Sequence, residues 1–271
     1  MLKNNISKII AIIMVLCVGI VFVGCKNTQE EKELSKIEKI KKEGKIVVGT
    51  SADYPPYEFH KEVNKKDEIV GFDIEIAKEI AKDLGVKLEI KDMKFDGLLA
   101  ALDSGNVDFV IAGMTPTEER AQKVDFTKVY YNAVQAVVVK TEDKDRIKSI
   151  DDLKGKKIGV QKGSIQEQIA TNEIPEAKVK SLGKVSDLML ELKNSKVNAV
   201  IVEVPVADAY ASKNEDIILT DIEFKDEEEG SAIAIKKGNE DLVESMNSTL
   251  DRLIKEKSID KFVLQAIEMI D

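Results

Sequence analysis

Gly113-Met114-Thr115-Pro116-Thr117-Glu118-Glu119-Arg120 follows an apolar run and combines a helix start with a guanidinium. Thr115 stands where an N-cap would, Pro116 at the first helical position and Glu118 at the capping-box position. Open helix-start amides with Arg120 one turn on make a set of donors suited to a carboxylate. The same residues also describe an ordinary well-capped helix, and locally the two readings weigh the same. A second stretch, Gln161-Lys162-Gly163-Ser164-Ile165-Gln166, joins a strand to a helix. Its glycine, hydroxyl and helix-start amides could meet the same anion from the opposite side, although strand-to-helix turns also carry Gly-Ser for structural reasons alone. It is not a Walker phosphate loop, because no GKS or GKT follows the glycine. The third is Glu203, just beyond the apolar Ala199-Val200-Ile201-Val202. A carboxylate at the carboxyl end of such a strand can pair with an ammonium group, or it can cap a helix or face solvent.

Five tyrosines, eight phenylalanines and no tryptophan make aromatic positions informative. Tyr54 and Tyr57 flank a Pro55-Pro56 loop, and Phe95 starts a helix after Met93-Lys94; each could wall a pocket or pack in a core. What is scarce also excludes chemistry. With one histidine, His60, and two cysteines in 271 residues, a Ser-His-Asp or Cys-His site has a single candidate base and a Cys/His zinc cluster cannot be assembled. His60 sits in a polar stretch with Lys61 and Glu62, which places it in solvent rather than in a catalytic cleft. No metal or cofactor is expected. The net charge of −9, from 41 basic and 50 acidic side chains, argues against a nucleic-acid partner.

Positioning these groups requires an α/β scaffold. Ile46 to Thr50, Val86 to Ile90 and Val107 to Ala112 read as strands, and Ile74 to Leu84 carries Ile76, Ala77, Ile80, Ala81 and Leu84 at helical spacing on one face. This alternation predicts helices covering a mainly parallel sheet. It restarts at Ile158 to Val160 and runs through helices near Gln166 and Leu188 to the strand Ala199 to Val202, so two lobes are expected. Tyr130 to Lys140 is long and extended enough to pass between them, and Ser231 to Ile235 reads as a return strand that makes the second lobe an insertion in the first. Asp241 to Ile270 reads as two helices packing back on the first lobe. The expected division is 45–135 plus 228–271 for lobe 1 and 136–227 for lobe 2.

The amino terminus has Lys3 and Lys8, then an unbroken apolar run from Ile9 to Val23, then Gly24 and Cys25. Basic residues, about 15 apolar residues and a small residue describe a secretory signal over residues 1–24. A membrane span needs about 20 apolar residues, and the chain turns charged at once after Cys25. Val23-Gly24-Cys25 resembles a bacterial lipoprotein box, with Phe22 where leucine is usual; Cys25 would then carry the lipid, palmitate included. Cys17 leaves with the signal, so the exported chain has no second thiol for an internal disulfide. Residues 25–44 are read as a tether and a first helix.

The ordered set of stretches is similar to the bacterial solute-binding proteins of the polar amino-acid type (family 3), which serve ATP-driven importers. The resemblance is carried by Val48-Gly49-Thr50-Ser51-Ala52-Asp53-Tyr54-Pro55-Pro56-Tyr57-Glu58-Phe59, Val70-Gly71-Phe72-Asp73-Ile74 and Met93-Lys94-Phe95-Asp96-Gly97. It continues through Ala112 to Arg120, Val124-Asp125-Phe126-Thr127, Tyr130-Tyr131, Ile158 to Gln166 and Asn198 to Glu203, covering about Ile46 to Lys237. It implies a two-lobed periplasmic-binding-protein fold of type II with two hinge strands. In it Arg120, Thr115 and the Gly113 amide hold a ligand carboxylate from the first lobe, and Ser164, the Ile165 amide and Gln166 hold it from the second. Glu203, where the family more often has aspartate, pairs with the α-ammonium, and Tyr54 and Phe95 wall the ligand side chain. Ser51 occupies a position where some binders of cationic amino acids have aspartate, which leaves Glu58 as the candidate partner for a cationic side chain. The chain departs from the family in lacking a Trp-Phe pair near its end.

The implied function is capture of an extracellular L-amino acid, polar and with lysine or arginine slightly favoured, and its delivery to the permease and ATPase of an ABC importer. The protein would be a monomer, lipid-anchored on the extracellular face of the cell membrane in the Gram-positive manner, and not an enzyme. Two alternatives share the fold: a cyclohexadienyl dehydratase-like enzyme, which needs a positioned acid, and a sensory amino-acid receptor domain.

Overall fold

The computed structural model describes residues 34–224 and 229–270. The expected signal, Cys25 and the tether through Glu33 lie outside the described residues. Helix α1 (Lys36–Glu43) begins where the Ser35 and Glu38 side chains cap each other's backbone amides, and ends on Gly44. Strand β1 (Lys45–Thr50) follows, then a small antiparallel flap of β2 (Asp53–Tyr54), β3 (Glu58–Val63) and β4 (Lys66–Val70). In α2 (Phe72–Leu84) the apolar face Ile76, Ala77, Ile80, Ala81 and Leu84 is buried while Lys78 and Lys82 face water. Strand β5 (Lys87–Asp92), α3 (Leu98–Asp103), β6 (Phe109–Val110), α4 (Glu118–Ala121) and β7 (Val124–Phe126) complete the first passage.

The chain then crosses through β8 (Tyr131–Ala133) into β9 (Gln135–Lys140) and builds β10 (Lys157–Gln161), α5 (Ile165–Glu173), β11 (Lys178–Leu182), α6 (Val185–Lys193), β12 (Ala199–Glu203), α7 (Val204–Lys213) and β13 (Ile217–Leu219). It returns through β14 (Glu229–Ser231) to β15 (Ala234–Lys236), and ends in α8 (Glu240–Lys255) and α9 (Ser258–Glu268). The two sheets have the strand orders β5-β1-β6-β15-β7 and β11-β10-β12-β9-β13, and β8 pairs with β14 as a separate antiparallel ribbon. The fold is thus two α/β lobes, the second inserted in the first, with the ribbon as the two passages of chain between them.

The sheets are mainly parallel, as the alternation predicts, with one reversed strand in each. In each, four strands run in one direction and one runs against them: β15 is antiparallel to β6 and β7, and β9 antiparallel to β12 and β13. The reason is the insertion itself: β9 and β15 arrive from the other lobe rather than through a right-handed βα crossover, so nothing forces them parallel.

One apolar cluster runs from Ile46, Phe72 and Ile76 in lobe 1 through Tyr54, Tyr57 and Tyr130 to Val138, Leu188 and Val200 in lobe 2. The far faces of the two sheets have their own clusters, around Leu98 and Val110 and around Ile158 and Ile201. Tyr57 is the centre of the bridge: its ring lies 4.4 Å from Phe72, 5.3 Å from Tyr54 and 5.6 Å from Tyr131. On the back of lobe 1, α8 turns Leu242, Met246, Leu250 and Leu253 inward, and Arg252 joins α2 through Glu79 and Asp83, each at 2.8 Å.

Candidate functional site

The carboxyl ends of β1, β10 and β12 meet between the lobes, the position where open α/β sheets present ligand-binding loops. From lobe 1, the loop after β6 brings Gly113 against the Tyr54 and Tyr57 rings with φ of +53°, a conformation that strains a side-chain-bearing residue, and a Cβ there would press the Tyr54 ring at 3.3 Å. The turn is closed by the Thr117 amide donating to the Thr115 carbonyl at 3.0 Å. Helix α4 therefore starts two residues later than expected: Thr117, not Thr115, is its N-cap, its hydroxyl accepting from the Arg120 amide at 3.3 Å. Both threonines offer a hydroxyl, and the choice goes to Thr117 because Thr115 and Pro116 are committed to the turn that enters the cleft. With only four residues in α4, the guanidinium rather than a helix terminus offers the stronger donors to an anion on this side.

That guanidinium spans the cleft. Arg120 donates to the Thr115 carbonyl of its own lobe at 2.6 Å and to the Gly163 carbonyl of lobe 2 at 2.8 Å, and it lies 5.5 Å over the Phe95 ring. Opposite it is the start of α5. Ser164 is its N-cap, with the hydroxyl turned back to donate to the Gln161 carbonyl at 2.7 Å, and Glu167 accepts from the Gly163 amide at 2.7 Å. The amides of Ile165 and Gln166 occupy the first helical positions, which have no intrahelical acceptor. Gln166 in turn donates to the Gln135 carboxamide at 2.8 Å, at the root of the first passage between lobes.

At the other end, Glu203 closes β12 and is 1% exposed. The Tyr57 hydroxyl donates to its carboxylate, and its amide donates to the Tyr54 hydroxyl at 3.3 Å. Burial pushes both phenols well above their ordinary range, with the Glu203 charge adding to the effect, so both remain hydroxyl groups. Further along the same side, Asp53 accepts from the Ser186 amide at the start of α6 at 3.0 Å, and Tyr210 donates to the Asp53 carbonyl at 2.8 Å. Burial pushes the Asp53 carboxyl up, against the lowering effect of the Ser186 amide.

Eight of the eleven residues expected at the site line one small cavity: Tyr54, Phe95, Gly113, Thr115, Arg120, Ser164, Ile165 and Gln166. Its volume is about 10 Å³, room for about one water, because the lobes are drawn together and Arg120 fills the opening. Outside Arg120 lies a mouth of about 410 Å³ that shares Arg120 and Ser164 with the inner cavity, so the Arg120 side chain stands between the two. Glu203 joins the site through the two tyrosines. Ser51 and Glu58 are not brought to the cavity wall. Ser51 is 1% exposed and donates to Asp53 at 3.2 Å. Glu58 is fully buried beside Asp73, behind the Gly113 turn; a carboxyl in an antiparallel flap strand points to one face or the other, and this one points inward. His60 lies on the flap between Asp67 and Asp92 with its side chain 42% exposed.

Sequence reasoning missed Tyr57 as a partner of Glu203, Gln161 and Ala112 in the cavity wall, and Asp73. Gln161 was legible as the last residue of a strand that ends at the cleft. Asp73 was legible from Gly71-Phe72-Asp73: Gly71 has φ of +131° and sits against the Tyr57 carbonyl, so the α2 start is pressed onto the loop beside the site. Among the described residues no group of three or more potential metal ligands is present, and no helix is long and apolar enough to cross a membrane.

Comparison with known proteins gives a consistent result. The family model described as bacterial extracellular solute-binding proteins, family 3, matches residues 46–267. The chain is 38% identical over 260 residues to the arginine-binding extracellular protein ArtP of Bacillus subtilis (strain 168), covering 94% of this chain and 96% of that one. The solved structure of an amino acid ABC transporter substrate-binding protein, AbpA, from Streptococcus pneumoniae Canada MDR_19A, bound to L-arginine, is similar with a TM-score of 0.84 and 39% identity, covering 86% of this chain and 98% of that one. A second solved substrate binding protein of an amino acid ABC transporter is 49% identical with a TM-score of 0.78, covering 83% and 100%.

Proposed function

The chain belongs to the bacterial extracellular solute-binding proteins of family 3, and from that premise we propose that it takes a polar L-amino acid, arginine or lysine first, between its lobes and hands it to an ABC importer permease and its ATPase. The observation that carries this reading is Arg120, whose guanidinium bonds a carbonyl of each lobe inside the cleft. A ligand carboxylate is a stronger acceptor than either carbonyl, since both partners are then charged and the pair can be bidentate. Replacing the Gly163 carbonyl by that carboxylate keeps the lobes joined through the ligand, with the Ser164, Ile165 and Gln166 side completing the clamp. The α-ammonium group faces Glu203, and only the closed lobes satisfy both ends of the zwitterion at once.

The ligand side chain lies between Tyr54 and Phe95. With Glu58 turned inward, a cationic side chain is held by aromatic faces and carboxamide oxygens rather than by a direct ion pair. Arginine is ranked first because the Bacillus subtilis relative is named for it and the Streptococcus pneumoniae neighbour is bound to it. The chain acts as a binder and not an enzyme: its single histidine is held on the flap, away from Arg120 and Glu203, and no turnover of prephenate or arogenate is expected. Acyl chains on Cys25 would hold the monomer on the extracellular face of the membrane, and Cys25→Ala should release it to the medium.

Titration calorimetry against the proteinogenic amino acids with ornithine, citrulline and cystine tests the reading. Arginine or lysine should bind tightest; tighter binding of a neutral amino acid overturns the ranking, and no binding by any of them overturns the function.

A further inference from the structure

Behind the cleft two carboxyl groups are buried together without a counter-charge. Glu58 on β3 and Asp73 at the start of α2 are each 0% exposed. Asp73 Oδ2 is fully used: it accepts from the Gly113 amide at 3.0 Å and from the Tyr130 hydroxyl at 2.9 Å. Neither Glu58 oxygen nor Asp73 Oδ1 has a donor. Three adjacent buried acceptors without a donor are costly unless the carboxyls supply one themselves.

We propose that Glu58 and Asp73 share one proton, and that Asp73, fixed in this way, is the positioning residue for the Gly113 turn and for Tyr130 at the entry to the first passage between lobes. Glu58 then donates to Asp73 Oδ1, all three orphan atoms lie in one hydrogen bond or beside it, and the pair carries a single negative charge. The bonds it makes lead in two functional directions. Gly113 shapes the cavity wall beside Tyr54, and Tyr130 immediately precedes β8. The groups that face the pair from neighbouring elements are Asp53 on β2, Glu203 on β12 and the phenols Tyr54 and Tyr130, and none of these is a cation. Consistent with this setting, burial and the neighbouring Asp73 push the Glu58 carboxyl well above its ordinary range, and burial pushes Asp73 up to about 6.

The proposal concerns the amino-acid site and rests on that reading for its effect on affinity, whereas the proton itself is read without ligand. Infrared spectra at neutral pH should show the carbonyl band of a protonated carboxyl group in the full chain that is missing from both Glu58→Gln and Asp73→Asn. In the first variant the carboxamide donates in place of the O–H, and in the second the new amide donates to an ionised Glu58. A spectrum without such a band in the wild type, or with the same band in both variants, overturns the shared proton. With L-arginine as probe, Asp73→Ala should lower affinity by about tenfold or more, since it strands the Gly113 amide and the Tyr130 hydroxyl together. Asp73→Asn, which keeps an oxygen where Oδ2 stands, should recover most of that loss. Equal affinity in the wild type and Asp73→Ala, or no recovery in Asp73→Asn with its fold intact by circular dichroism, overturns the positioning role. A wild type that binds no L-arginine but shows the band leaves the proton in place and removes only the ligand.

Discussion

The lobes touch through two kinds of contact, and they differ in what surrounds them. One set is buried or half-buried and uses neutral donors: Tyr57 to the Glu203 carboxylate and the Glu203 amide to Tyr54 are buried, and the Ser186 amide to Asp53 and Tyr210 to the Asp53 carbonyl are half-buried. The other lies at the rim and is ionic: Lys162 with Asp96 at 2.8 Å and Lys184 with Asp92 at 3.0 Å. Tyr57 is 0% exposed, whereas the Lys162 side chain is 59% exposed. A hydrogen bond sealed from water is costly to break because its partner stays buried, while an exposed ion pair returns both members to water for about 1 kcal/mol or less. Closure is thus held by the buried set, and the rim can open and reform without a large penalty. Arg120 stands between the two, bonded in both lobes yet facing the mouth, which is where an exchangeable partner must be.

Arg120→Ala gives the largest effect in this comparison. Removing the guanidinium leaves a ligand carboxylate in the cleft without its main partner, at a cost of about 3–5 kcal/mol, a loss of about 10²-fold or more in affinity. Circular dichroism should be unchanged, because Phe95, the core ring beneath Arg120, stays packed in the lobe 1 cluster. Calorimetry that returns wild-type affinity for the variant would break the assignment.

Tyr57→Phe tests the buried set and comes next. It removes one hydroxyl, and with it a donor to the buried Glu203 carboxylate, at a cost of about 1–3 kcal/mol. The melting temperature should fall by a few degrees for a chain of this size, and amino-acid affinity should fall with it. A variant as stable as the wild type would show that Glu203 does not depend on this hydroxyl, and the distinction between the two sets would lose its strongest member.

The dependence on pH sharpens the same distinction from inside lobe 1. Glu58 and Asp73 hold their protons more tightly in the folded chain than in the unfolded one. A raised carboxyl stabilises the folded state below its unfolded pKa, and that contribution is lost as pH rises through the folded value. For Asp73 the window runs from 3.8 to about 6, and for Glu58 it opens at 4.5 and continues upward. Rim and surface carboxylates act in the other direction: Asp92 and Asp83 are held below their ordinary range and lose stabilisation only as pH falls through that lower range. The melting temperature should therefore decline as pH rises above about 5, and Glu58→Gln should flatten the part of the decline above 6. A decline of the same slope in that variant would locate the effect elsewhere.

Much of this was legible in the chain. The helical spacing in α2 and the apolar β12 run fixed their elements because one face or the whole strand had to be buried, and the extended Ser231 to Ile235 run disclosed the insertion. Locally Arg120 and Ser164 each admitted a capping or turn reading beside a binding one, and only the order of the stretches along the chain set them on one site; the structure puts both on the cavity wall. What escaped the sequence was direction. Glu58 and Glu203 are both acids next to apolar runs, and nothing local says that one turns into lobe 1 to meet Asp73 while the other meets a tyrosine of the opposite lobe. The Tyr57–Glu203 pair joins a loop and a strand end 146 positions apart in sequence. The Thr115 cap failed for a related reason: two candidate caps two residues apart are separated only by what the loop before them must do.

The smallest effects belong to the rim, and their order is itself a test. Lys162→Ala removes an ion pair whose lysine is mostly in water, so affinity should change by less than about twofold and the change should vanish in high salt. Lys184→Ala should cost more. Its side chain is 29% exposed and its partner 24%, and Asp92 is also fixed by the Ala52 amide at 2.9 Å, so the pair is better ordered and partly desolvated. Even so, loss of Lys184 leaves Asp92 with that amide and with water, not stranded, and the effect should stay below that of Tyr57→Phe. If calorimetry and melting curves place Lys184→Ala above Tyr57→Phe, closure is held by charge at the rim and not by hydroxyls in the interior.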